Sequence, residues 1–142
     1  MTTYPVSRTI DTTPESVWAV ITDGSRYPEW NPAVLSFSGR IADGERIELV
    51  SIVNPDRKFK LTVGSVEPPR RMVWWDGMPL GLFKGIRTFT VRPTGESVCE
   101  FHMEEVYSGL LAPLITKSIP DMTESFEMFG DAVKAEAERR GS

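Results

Sequence analysis

The sequence predicts an α+β fold built on an antiparallel sheet. Apolar and polar residues alternate along short runs through most of the chain up to Ser108, which is the pattern of half-buried strands. In the C-terminal third the apolar residues recur every three or four positions, which is the pattern of an amphipathic helix. Helices do not alternate with the strands, so a parallel sheet is not expected. All 142 residues are expected to form a single domain, because this length suits one core.

The first elements are a strand and one or two short helices. Residues 4–10 alternate and predict a strand, with Arg8 on its apolar face for no evident reason. Thr13, followed by a proline, predicts the N-cap of a short helix. Residues 27–32 contain two prolines, so they are expected to be irregular, although a second short helix around 25–28 fits the sequence.

Six further strands are expected, at 34–39, 45–53, 57–66, 71–76, 82–92 and 97–108. The last two form a hairpin around a turn at residues 93–95, with their aromatic faces inward. A loop of about five residues places Phe89 opposite Phe101. The same register sets Arg87 diagonally across from Glu105 on the inner face, at about 7–8 Å between their backbones.

The C-terminal third predicts one long helix. Its apolar residues run from Leu111 to Val133 at helical spacing, and Pro120 in the interior is expected to kink the helix. The charged residues from Asp131 to Arg140 are expected to form a mostly exposed end of this helix.

Composition argues against several classes of function. The net charge of −4 and the lack of a basic run longer than two residues argue against a nucleic-acid partner. No apolar run approaches the roughly 20 residues of a membrane span, and the N-terminus lacks the pattern of a signal peptide, which predicts a cytoplasmic protein. The single histidine, His102, and the single cysteine, Cys99, exclude a Cys/His zinc site and an internal disulfide. We expect no metal and no cofactor.

Five segments in a fixed order carry a resemblance to a known family. They are Val17-Trp18, residues 27–32 (Tyr-Pro-Glu-Trp-Asn-Pro), residues 71–75, residues 81–85 and residues 101–111. In these segments the chain resembles the SRPBCC superfamily of START and birch-pollen-allergen-like proteins, and within it the polyketide cyclase/dehydrase-like members. The resemblance implies a helix-grip fold, in which a bent seven-stranded antiparallel sheet wraps around the long C-terminal helix and two short helices follow the first strand. It also implies a cavity for an apolar or amphipathic small molecule between sheet and helix.

The chain departs from this family at two inward positions. Relatives often carry a histidine where this sequence has Arg87, and another where it has Met103. His102 lies one position away and is expected to point outward. An acid–base mechanism that depends on the family histidines is therefore not expected here.

The preferred function is the binding of a hydrophobic or amphipathic small molecule in the cavity, by a monomer or a homodimer. Arg87, Glu105 and Tyr107 are expected to orient the ligand, and the family pattern favours Trp75 over Trp74 as a cavity residue. The residues expected to contact the ligand are Trp30, Trp75, Phe83, Arg87, Phe89, Phe101, Met103, Glu105, Tyr107, Met122, Phe126 and Phe129.

Three alternatives stay open at this point. Arg87 and Glu105 are candidate catalytic residues of a polyketide cyclase or dehydratase, or else they form a structural ion pair. The inward aromatic residues could fill a close-packed core instead of lining a cavity. The protein would then be an interaction or assembly module, which predicts a large exposed apolar patch.

Overall fold

The order of elements in the computed structural model, which describes residues 2–117 and 119–141, is the order that the sequence predicts as far as the last strand, after which two helices stand in place of one. The strands are β1 (Thr2–Ile10), β2 (Val34–Ser38), β3 (Arg46–Ser51), β4 (Phe59–Glu67), β5 (Arg71–Met78), β6 (Phe83–Gly95) and β7 (Val98–Ser108). The helices are α1 (Pro14–Ile21), α2 (Tyr27–Trp30), α3 (Ala112–Ile115) and α4 (Thr123–Gly141), and a 3-10 turn at Gly24–Arg26 precedes α2.

The seven strands of the described residues form one antiparallel sheet in the order β1-β7-β6-β5-β4-β3-β2. Helix α4 packs against β1 and α1, and it meets the inner face of the sheet where the rings of Phe129 and Phe89 lie 6.1 Å apart. This arrangement confirms the predicted α+β class and the helix-grip architecture. No helix within the described ranges is long and apolar enough to cross a bilayer.

Local interactions explain the first two elements. The Thr13 hydroxyl accepts a hydrogen bond from the Ser16 backbone N–H at 3.3 Å, which confirms the predicted N-cap of α1. Arg8 of β1 donates to Asp131 of α4 at 2.8 Å and also bonds Glu127 on the same helix. These ion pairs join the edge of the sheet to α4, and they explain an arginine on the apolar face of β1.

Two expectations about prolines are wrong. Residues 27–32 are not irregular throughout, because Tyr27–Trp30 forms the single turn of α2 with Pro28 in its first turn, where a missing N–H is tolerated. The predicted long kinked helix is two separate helices, α3 and α4, with Pro120 between them. A proline inside a helix lacks a donor and clashes with the carbonyl four residues earlier, so the helix is interrupted here instead of bent.

The β6–β7 hairpin is longer and tighter than predicted. Its turn is at residues 96–97 and not at 93–95, so β6 continues to Gly95 instead of ending at residue 92, while β7 begins at Val98 instead of residue 97. Phe89 therefore lies opposite Met103, and the expected pairing with Phe101 is wrong. The register differs from the expected one by two residues. Because side chains alternate with a period of two, every residue still points to its predicted face.

The charged end of α4 is less exposed than expected. Glu136 is buried and accepts hydrogen bonds from Arg139 at 2.6 Å and from Arg140 at 2.7 Å. Arg140 also bonds Asp23 at 3.3 Å, which joins this end of the helix to the segment after α1. The other buried residues of this region are Ala132, Val133 and Ala137.

Aromatic side chains fill the centre of the core. Trp74 and Phe89 are fully buried, and their ring centroids lie 4.5 Å apart. Trp75, the next residue of β5, points to the outer face and is 40% exposed. The other aromatic residues of the cluster are Tyr27, Phe101, Phe126 and Phe129.

Candidate functional site

A cavity of about 150 Å³ lies at one end of the inner face of the sheet. Strands β3 to β7 form its floor, and α3 with the segment that leads into α4 covers it. Arg57, Asp76 and Pro120 are exposed at its mouth. The apolar walls include Leu49, Phe59, Leu61, Ile119 and Met122.

Three polar side chains close the inner end of the cavity, and the β6–β7 ladder places them there. Arg87 of β6 lies directly opposite Glu105 of β7, not diagonally as expected. Tyr107 follows two positions after Glu105, so both side chains emerge on the inner face. All three residues are buried, with 8% of each exposed.

Hydrogen bonds join these residues into one cluster, Arg87–Glu105–Tyr107. Arg87 Nε donates to Glu105 Oε1 at 3.1 Å, and the Tyr107 hydroxyl donates to Glu105 Oε2 at 2.5 Å. Each oxygen of the carboxylate is therefore held by one donor. Removing one partner of such a buried charge pair leaves the other uncompensated, at a cost of about 3–5 kcal/mol. The three side chains thus act as a unit.

Aromatic rings hold the cluster in place. The Arg87 guanidinium carbon lies 4.8 Å from the centroid of the Phe126 ring and 5.9 Å from that of Phe129. Tyr107 stacks on Phe83 with 5.7 Å between centroids and 19° between planes. One side of the guanidinium and one face of the phenol are therefore covered, and their positions are fixed by packing as well as by hydrogen bonds.

The charges and hydrogen bonds of the cluster determine which of its groups could exchange a proton. Burial raises the pKa of Tyr107, and the negative charge of Glu105 raises it further, so the phenol keeps its proton in neutral solution. The guanidinium of Arg87 offers hydrogen-bond donors and no acceptor. Both oxygens of Glu105 already accept hydrogen bonds, so this carboxylate is better placed to orient Arg87 than to abstract a proton from a substrate.

The structure divides the predicted ligand contacts into two main groups. Those that line the cavity are Phe83, Arg87, Glu105, Tyr107 and Met122. Those that fill the core, with at most 3% of each residue exposed, are Phe89, Phe101, Met103, Phe126 and Phe129. The second group faces inward as predicted, but the expectation that it lines the cavity is wrong. Periodicity shows which face is buried and does not show whether the space beyond it is filled.

The two predicted tryptophans do not line the cavity. Trp75 points to the outer face, where the Lys84 ammonium lies 5.5 Å from its ring centroid, and Trp74 is the inward residue. The family pattern was therefore a poor guide at this position. Trp30 packs against Tyr27 with 5.0 Å between ring centroids, and it belongs to the α2 region.

Strands β3 and β4, together with Ile115 and Ile119, supply walls that the predicted set of ligand contacts does not include. Alternation along β4 indicated that Phe59 and Leu61 point inward, and Leu49 of β3 lies directly opposite Phe59. The pattern could not show that these strands curl over towards α3. The sequence predicts Ile115 and Ile119 in one continuous helix. The interruption of that helix near Pro120 places both residues over the cavity.

His102 points outward, as expected, and lies between Ser7 and Glu104. Ser7 Oγ is 2.6 Å from His102 Nδ1, and His102 Nε2 is 3.4 Å from a Glu104 oxygen. A nucleophilic serine also needs oxyanion donors and a substrate pocket, and none of these three residues lines the cavity described above. Within residues 2–117 and 119–141, no three His, Cys, Asp or Glu side chains are grouped so that they could hold a metal ion.

Solved structures share this architecture at low sequence identity. A START superfamily protein from Mycobacterium smegmatis is 16% identical with a TM-score of 0.72, and the alignment covers 97% of this chain and 98% of that one. An aromatase/cyclase from Streptomyces is 12% identical with a TM-score of 0.77, covering 98% and 94%. A norcoclaurine synthase from Thalictrum flavum is 13% identical with a TM-score of 0.72, covering 99% and 96%. At these identities the likeness shows the fold alone.

The sequence itself matches a family model over nearly its whole length. No curated protein matches the chain. The family model described as polyketide cyclase/dehydrase and lipid transport matches residues 1–138. This match confirms the resemblance to the SRPBCC superfamily. The chain therefore belongs to the polyketide cyclase/dehydrase and lipid transport family.

Proposed function

We propose that the protein binds a small hydrophobic or amphipathic molecule in the cavity between the sheet and the segment that leads into α4. The observation that carries this proposal is one cavity that combines apolar walls with the buried Arg87–Glu105–Tyr107 cluster. Ligand pockets typically combine a mostly apolar lining with a few placed polar groups. The family description, which names both cyclases and lipid transport, supports a ligand of this kind.

The stability of the fold alone does not explain why the cavity wall contains the buried ion pair between Arg87 and Glu105. Replacing a buried ion pair by well-packed apolar residues is often neutral or stabilising. Arg87 and Glu105 nevertheless lie in a largely apolar cavity, where they can orient a molecule that enters from the mouth. If the pair were only structural, its replacement by apolar residues would leave ligand binding unchanged.

The alternative of an interaction module has one observation in its favour. Leu80, Leu110 and Leu114 are 91%, 80% and 68% exposed. They lie on adjoining segments, since the Leu110 N–H donates to the Gly81 carbonyl at 3.2 Å. The same alternative also predicts a filled interior, and the cavity of about 150 Å³ favours small-molecule binding over it.

A cavity-filling substitution tests the proposed function. Leu61→Phe places a larger side chain in the cavity wall, while Leu35→Phe makes the same chemical change at a residue that is 49% exposed. We expect native mass spectrometry to detect a co-purified small molecule, and NMR titration to show binding of toluene. Leu61→Phe should weaken toluene binding at least about tenfold, and Leu35→Phe should bind like the wild type. A wild-type protein that takes up neither molecule contradicts the proposal.

A second candidate function is enzymatic cyclisation or dehydration, favoured by the position of Glu105 in the cavity wall. In this function the Glu105 carboxylate accepts a proton from the substrate, and Arg87 polarises a carbonyl oxygen. If turnover of a polyketide-like substrate is found, Glu105→Gln should reduce kcat by about a hundredfold or more. Full activity in Glu105→Gln and in Arg87→Lys excludes this mechanism.

A further inference from the structure

We infer that the ligand is an uncharged molecule about the size of one substituted benzene ring, and that an acceptor oxygen on it binds the terminal nitrogens of Arg87. The inference rests on the proposed function, because it assigns a chemical class to the ligand of the same cavity. Three features carry it: the free donors of Arg87, the balance of buried charge and the volume of the cavity.

The free donors at the inner end of the cavity belong to Arg87. Its Nε bonds Glu105, and Phe126 covers one face of the guanidinium, so one edge and one face are occupied. Among residues 2–117 and 119–141, no acceptor bonds its two terminal nitrogens. A guanidinium presents these donors in a fixed fork that suits an oxygen acceptor. A ligand oxygen is therefore the group that completes the hydrogen bonding of Arg87.

The neighbouring groups make a cationic ligand unfavourable. The hydroxyl hydrogen of Tyr107 is directed to Glu105, and both oxygens of Glu105 are engaged, one by Tyr107 and one by Arg87. An ammonium group at this end would find no carboxylate oxygen without a donor, and it would lie against the positive guanidinium. The inner end of the cavity therefore selects acceptors over positively charged donors.

The buried charges of the site already cancel. Arg87 and Glu105 form one ion pair at 3.1 Å, and the mouth carries one charge of each sign, on Arg57 and Asp76. An anionic ligand would add a negative charge without a partner beside Glu105, which is strongly unfavourable in a buried site. A ketone, ester or amide oxygen accepts the same hydrogen bonds from Arg87 and adds no charge. Charge balance thus favours an uncharged acceptor over a carboxylate.

The volume of the cavity sets the size of the ligand. The cavity holds about 150 Å³. An apolar cavity of about 150 Å³ in another protein accepts benzene. Leu49, Leu61 and Met122 provide apolar walls for a ring, while Arg87 lies at the inner end for its polar substituent.

Three probes of similar size separate the contribution of the oxygen from that of the ring: acetophenone, ethylbenzene and benzoate. By NMR titration in neutral buffer, we expect acetophenone to bind the wild type about tenfold more tightly than ethylbenzene, because of a hydrogen bond to a charged donor. We also expect it to bind more tightly than benzoate. Equal Kd values for acetophenone and ethylbenzene would overturn the inference and leave the proposed function standing. Tightest binding of benzoate would overturn the uncharged class, and binding of no probe would overturn the proposed function itself.

A matched pair of double variants tests whether Arg87 is the donor. Arg87→Met with Glu105→Leu removes the buried pair without leaving a charge unpartnered, and ethylbenzene binding reports whether the cavity is retained. Arg92→Met with Glu100→Leu removes a pair from the same two strands, 3.5 Å apart on the outer face. We expect the tenfold preference for acetophenone to disappear in the first variant and to persist in the second. A preference that persists in both variants excludes Arg87 as the donor.

Discussion

At the scale of single residues, the position of Arg87 depends on two neighbours in turn. Glu105 holds the guanidinium at Nε, and Tyr107 holds the second oxygen of Glu105. The alternation of β6 and β7 could predict that these residues share an inner face. It could not predict the chain of hydrogen bonds, because the direct pairing of Arg87 with Glu105 depends on the register of the hairpin. Glu105 and Tyr107 are therefore positioning residues, and their effect on a ligand passes through Arg87.

The Tyr107 hydroxyl is expected to stabilise the fold through Glu105. Tyr107→Phe keeps the ring and removes one donor from a buried carboxylate, so we expect the free energy of unfolding to fall by about 1–3 kcal/mol. The measurement is urea denaturation. Tyr4→Phe is the control, because the Tyr4 ring lies 6.2 Å from that of Tyr107, and its hydroxyl forms no hydrogen bond with any described residue. Equal losses in the two variants would contradict the role of the Tyr107 hydroxyl.

The buried carboxylate of Glu136 is expected to make stability depend on pH. Hydrogen bonds from Arg139 and then Arg140 lower the pKa of Glu136 to about 2, well below the ordinary value of a glutamate side chain. A pKa that is lower in the folded state stabilises the fold above the unfolded value and loses this effect as the pH falls towards the folded value. We expect Glu136→Gln to show a smaller loss of stability than the wild type between pH 5 and pH 2.

The control for this pH effect is Glu96→Gln in the exposed β6–β7 turn. Glu96 forms no ion pair with any residue of the described ranges, so its replacement should leave the pH dependence of unfolding unchanged. The measurement is the free energy of unfolding from urea denaturation at several pH values. A Glu136→Gln profile that runs parallel to that of the wild type would show that the ion network contributes nothing to folding.

At the scale of elements, the sequence predicts well which face of a strand or helix is buried, and it predicts poorly where the element ends. The β6–β7 register was wrong by two residues, yet the inner and outer faces were predicted correctly because the error was even. Alternation shows that Trp74 and Trp75 face opposite sides but not which of them is inward; the family pattern favours Trp75, and the structure buries Trp74 instead. Pro120 was expected to kink one helix, although it separates two. Local spacing specifies a face, whereas the end of an element depends on its tertiary surroundings.

The two adjacent tryptophans of β5 offer a test of the sheet faces. Trp74 is fully buried against Phe89, while Trp75 is 40% exposed on the outer face. We expect Trp74→Ala to lower the free energy of unfolding by about 3–5 kcal/mol, because it opens a large hole in a packed core. Trp75→Ala should cost clearly less, since much of that ring is already in water. Urea denaturation measures both, and equal losses would contradict the assignment of the faces.

At the scale of the whole molecule, the cavity lies where α4 does not cover the sheet. The fold class could be predicted because it depends only on the order and period of the elements. The filled and open parts of the interior could not be told apart, because their inward residues follow the same pattern. The difference arises because the helical conformation is interrupted near Pro120. As a result α3 and a short segment, and not a continuous helix, lie over Leu49 and Leu61.

Helix α4 packs closely against strand β1 at Gly130. A Cβ at this position would lie 2.9 Å from Val6 Cγ2 and 3.4 Å from Arg8 Cγ, both on β1. We expect Gly130→Ala to lower the free energy of unfolding by about 1 kcal/mol, because overpacking outweighs the gain in helix propensity. Val6→Ala removes the clashing methyl group, so the two substitutions should be coupled by at least about 1 kcal/mol in a double-mutant cycle measured by urea denaturation. Strict additivity would mean that α4 is not held against β1 at this point.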